Sequence, residues 1–67
     1  MTTQIEILVA LNDLTQELDE TQDQVNEARV AAPTNQIVQL IMDRKQSDID
    51  LKREFIRLAM LDISSRN

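Results

Sequence analysis

The side chains most capable of chemistry in this sequence are carboxylates. Glu17, Asp19, Glu20 and Asp23 crowd together, and Asp19 and Asp23 stand four residues apart, which on a helix puts both on one face where they could share a divalent cation. Metal sites inside helical bundles usually combine inward-facing glutamates with histidine. This chain has no histidine, and the four acids lie off the apolar seam traced below, so the expected reading is a solvated acidic face with no metal. General acid catalysis by a carboxylate pair needs an enclosed pocket that separates the two pKa values. Two helices enclose none, so no catalytic residue and no cofactor is assigned.

The basic residues Arg44, Lys45, Lys52, Arg53 and Arg57 raise a second possibility, a surface for phosphates. Asp43, Asp48, Asp50 and Glu54 are interleaved with them, and Asp48 with Lys52 and Glu54 with Arg57 have intrahelical ion-pair spacing. There is no glycine to build a phosphate cradle and no aromatic platform for bases, since Phe55 is the one aromatic residue. A net charge of −5 points the same way, because little here could displace counterions from nucleic acid. Nucleic acid is excluded as the default partner, and the acidic balance suits the cytoplasm.

With chemistry set aside, the elements remain. At 67 residues the chain makes one domain, 1–67, and it has no cysteine for disulfides and no ordinary nitrogen and sulfur ligands for zinc. A chain this short seldom buries enough apolar surface alone, which leaves association as its means of stabilisation. The run from Ile5 to Leu11 is interrupted by Glu6 and has no Lys or Arg before it, unlike a signal peptide. Nothing approaches the length of apolar run that spans a bilayer, so no membrane partner is expected.

Thr3 followed by Glu6 matches the capping box, so helix 1 is expected over about 3–31. Ile7, Leu11, Leu14, Leu18, Thr21, Val25, Ala28 and Ala32 recur at alternating steps of four and three, a coiled-coil seam. Pro33 costs about 3 kcal/mol inside a helix and turns Ala32 away from helical dihedrals. A turn at about 32–34 follows, with Thr34 as the expected N-cap of helix 2 over about 35–64. The fold class is therefore all-α, an antiparallel two-helix hairpin. Helix 2 has a seam of its own at Ile37, Ile41, Leu51, Phe55 and Leu58, with Arg44 and Asp48 between. Its phase differs from that of helix 1, which favours a hairpin over one kinked rod. Folding at Pro33 would set Val25 against Ile41, Leu14 against Leu51, Leu11 against Phe55 and Ile7 against Leu58, with a polar layer where Thr21 and Leu18 meet Arg44 and Asp48.

A second apolar stripe, Met42, Ile49, Ile56 and Ile63 with Val38, Ala59 and Met60 beside it, lies roughly 130° round helix 2 from that seam. Ile5, Leu8 and Val9 supply a matching excess at the start of helix 1. These ten residues are the expected partner interface, joining two hairpins into a four-helix bundle or receiving another protein's helix, with the methionines as adaptable contacts. The expected function is a protein-interaction module, either a homodimer or part of an obligate hetero-complex: an adaptor, regulator, inhibitor or co-chaperone. The alternative is a structural assembly subunit. In outline the pattern looks like the short hairpin co-chaperones of bacterial secretion systems, and equally like small phage-encoded proteins that bind host factors. No residue motif separates the two.

Overall fold

The first helix begins as its spacing requires. The Thr3 hydroxyl accepts from the Glu6 amide at 3.2 Å while the Glu6 carboxylate accepts from the Thr3 amide at 3.3 Å, the reciprocal capping box. The computed structural model describes residues 3–65 and contains two helices, α1 (Gln4–Ala31) and α2 (Gln36–Ser65). They pack antiparallel in a body 50 × 15 × 15 Å, about the length that 30 residues reach at 1.5 Å each. Among the described residues, no helix is long and apolar enough to cross a membrane.

The reversal is made without glycine. Ala32 leaves α1 at φ −134°, ψ 61°, its amide still bonded to the Ala28 carbonyl. The Asn35 amide then returns to the Ala32 carbonyl at 3.2 Å, closing a turn with Pro33 at its second position, where the fixed φ of proline fits. Asn35, not Thr34, caps α2. Its side-chain oxygen accepts from the Val38 amide at 3.0 Å, the third helical position, while Thr34 is taken up in the turn.

The contact between the helices corrects the expected seam. Leu18, Val25 and Ile49 are the buried core, with Val25 at 2% and Ile49 at 1% exposure, and Met42 and Ile56 pack against them. The row Met42, Ile49 and Ile56 therefore faces α1, whereas Ile37, Ile41, Leu51, Phe55 and Leu58 are exposed. The inner positions of α2, at 39, 42, 46, 49, 53, 56, 60 and 63, are all wholly or partly buried, and they continue the register of α1 straight across Pro33. Phase thus does not separate hairpin from rod. The turn does.

On α1, Leu11, Leu18, Val25 and Ala32 hold the seam as expected, but its other edge is formed by Leu8, Thr15, Gln22 and Arg29, with Ile7 and Leu14 more exposed. The Thr15 and Thr21 hydroxyls each donate to the carbonyl four residues back, so neither carries an unmet hydrogen bond into the contact.

Candidate functional site

The two flanks of the hairpin differ in kind. One is closed by polar side chains reaching across. The Gln22 and Gln46 amides donate to each other's oxygens at 2.6 and 2.7 Å. Each also bonds within its own helix, Gln22 toward Asn26 and Gln46 toward Asp50. Nearer the turn, Arg29 donates to Gln39 at 3.2 Å and to Asp43 at 2.7 Å, while the Gln39 amide caps the Ala32 carbonyl at 2.9 Å. Toward the open end, Arg53 bonds Asp19 at 2.8 Å. Of these, Asp19 with Arg53 joins an acid of α1 to a base of α2, whereas Arg29 with Asp43 pairs in the opposite sense and Gln22 with Gln46 is neutral. The polar layer is the Gln22 and Gln46 pair and not the expected one, because Arg44 and Asp48 lie round the helix from the contact. Asp48 pairs instead with Lys52 at 2.9 Å, and Glu54 with Arg57, both as their spacing predicted.

The other flank is open and apolar. Leu14, Leu18, Phe55 and Ile56, with Thr21, Glu17 and Lys52, line a shallow groove of about 410 Å³ between the helices. Along α2 the row extends through Ile37, Ile41, Leu51, Phe55 and Leu58, with Ile37 at 72% and Phe55 at 61% exposure. The residues expected at the partner interface divide accordingly. Ile49 is buried in the hairpin core and Met42 and Ile56 pack on that core. Met60 lines a second groove with Thr15 and Arg53, and Val38, Ala59, Ile63 and Leu8 are half-buried. Of the ten, only Ile5 and Val9 stand exposed, and they lie at the open end.

The exposed row is the one whose spacing predicts the inner seam of helix 2. The register of α1 carried across Pro33 reaches Gln39, Gln46 and Arg53, which from sequence speaks against a continuous rod, and the structure places Gln46 at the contact. Gln22 lies one residue past the expected seam position Thr21, so its place at the contact is not legible from spacing.

Among the described residues, no group of three or more His, Cys, Asp or Glu side chains is placed to hold a metal ion. Asp19, one of the four crowded acids, is engaged by Arg53. No protein-family model, no curated protein and no solved structure matches the chain, so fold and function rest on its own residues.

Proposed function

We propose that this chain is a non-catalytic protein-interaction module of the cytoplasm, an adaptor, regulator, inhibitor or co-chaperone, that works by docking its open flank on helical protein and so completing a four-helix bundle. One observation carries the reading. Ile37, Ile41, Leu51, Phe55 and Leu58 are all exposed along one flank of α2, two apolar clusters with Arg44 and Asp48 between them, and exposed apolar surface of this kind marks an interface. The opposite flank is already closed by the Gln22, Arg29 and Arg53 bonds, so docking leaves the hairpin intact.

The test is the size of the tagged full chain in extract of the cell that makes it, beside an Ile41→Asp/Phe55→Asp variant. The wild type is expected to run well above the mass of one hairpin. The variant should run as a single hairpin and retain its helical circular dichroism. A wild type that runs at hairpin mass in extract overturns the proposal.

A second reading, a subunit of a larger assembly, draws on a different surface. Ile5, Val9 and Leu61 are exposed at the open end of the hairpin, and a second contact site of this kind would build an open array. Growth in mass with concentration, without a plateau, distinguishes it from a closed complex.

A further inference from the structure

The outer row of α2 is Ile37, Ile41, Arg44, Asp48, Leu51 and Phe55, and its steps of four and three read the same from either end, about Gln46. A row with that symmetry matches itself when reversed. Laid antiparallel on a second α2 and centred at Gln46, Ile37 meets Phe55 of the second copy, Ile41 meets Leu51, and Arg44 meets Asp48. Every apolar position from Ile37 to Phe55 faces an apolar one, while Leu58, the next of the row, falls past the pairing at the level of Thr34 in the second copy's turn. The two charged positions face opposite charges, and because the arrangement is two-fold the ion pair forms twice.

We propose that the occupant of the open flank is a second copy of this chain, docked with its α2 antiparallel to α2, so that Arg44 of each copy pairs with Asp48 of the other. This rests on the reading of that flank as a docking surface, and names what covers it. Arg44 has no ion-pair partner within the hairpin among the described residues. Asp48 is engaged by Lys52 through Oδ2, which leaves its other carboxylate oxygen to receive Arg44. A parallel arrangement of the two α2 helices would place Arg44 on Arg44 and Asp48 on Asp48, an unfavourable stack of like charges. Docking α2 on α1 of the second copy would set Ile37 and Ile41 near Thr21, Gln24 and Ala28, since the large apolar groups α1 brings to this flank among the described residues, Ile7, Leu14 and the buried Leu18, lie toward the open end. The antiparallel arrangement of α2 on α2 leaves neither mismatch and sends the Pro33 turns to opposite ends of the bundle.

The test is sedimentation of the purified full chain across a wide concentration range, with Arg44→Asp and Asp48→Arg made separately, mixed, and combined in one chain. The wild type is expected to be a dimer. Either single reversal places like charges together and should raise the dissociation constant at least about tenfold. Mixing the two single variants should restore association as a heterodimer. The aspartate introduced in one chain then faces the arginine introduced in the other, and the native Asp48 of the first faces the native Arg44 of the second. The combined reversal should restore the homodimer. Circular dichroism confirms that each variant keeps its helices. A wild-type monomer at all concentrations overturns the second copy, as does a dimer whose strength ignores the charge reversals or is not recovered in the mixture. A purified monomer that still runs in a larger complex in extract overturns this inference alone and leaves the docking surface standing.

Discussion

Gln22 and Gln46 face each other across the hairpin and exchange two hydrogen bonds of 2.6 and 2.7 Å, amide to amide, beside the buried Val25, Leu18 and Ile49. A carboxamide at a seam position is costly by itself, because folding removes water from it. Two of them at one level satisfy each other. The pair then acts as a register mark, since sliding α2 by one turn would leave both amides against apolar neighbours.

Replacing only one member should therefore cost more than replacing both. Gln22→Leu or Gln46→Leu is expected to destabilise the hairpin by about 1–3 kcal/mol, the cost of an amide left half-buried without its partner. The double Leu variant should recover most of that loss. Denaturant unfolding of the four proteins, treated as a double-mutant cycle, measures the coupling, and equal, additive losses would show that the two amides act independently.

The inner and outer rows of α2 should respond in opposite ways to truncation. Ile49 fills the core, and Ile49→Ala should cost about 2–5 kcal/mol, enough to melt much of so small a fold. Phe55→Ala in dilute solution should change the stability of the hairpin itself by about 0.5 kcal/mol or less, because the ring is largely exposed. The inner seam expected from sequence would have assigned these effects the other way round, with Leu14 critical and Ile49 dispensable to the hairpin. Helicity against temperature for both variants decides between the two arrangements.

The Glu54 carboxyl is held below its usual value of 4.5, chiefly by the hydrogen bonds it accepts from Arg57 and in smaller part by that residue's charge. A carboxyl lowered by folding adds stability above its unfolded value, and that stability is lost as pH falls through the folded one. The pair lies on the exposed surface, so its effect is small and screened by salt. Proton titration followed by NMR should find Glu54 titrating below an ordinary glutamate, and Arg57→Ala should return it to the ordinary range. No change on removing Arg57 would mean that the pair does not persist in solution.

Much of this protein was determined by the sequence alone. Thr3 and Glu6 set the start of α1, Pro33 ended it, and the absence of glycine, tryptophan and tyrosine left helix as the only regular structure to build. The pairs Asp48 with Lys52 and Glu54 with Arg57 were legible because both partners sit on one helix, where spacing alone determines whether they meet. What only the tertiary structure decided was which of two apolar rows α2 turns toward α1. Both rows have heptad spacing and comparable apolar content, and periodicity shows that a helix has such a face without showing what the face will meet. The choice lies in pairs distant along the chain: Gln22 with Gln46, Arg29 with Gln39 and Asp43, and Asp19 with Arg53. Each residue taken singly reads as a polar position to be kept outside. They meet only when Met42, Ile49 and Ile56 face inward, and that arrangement satisfies the polar groups along one flank while leaving the other apolar and open.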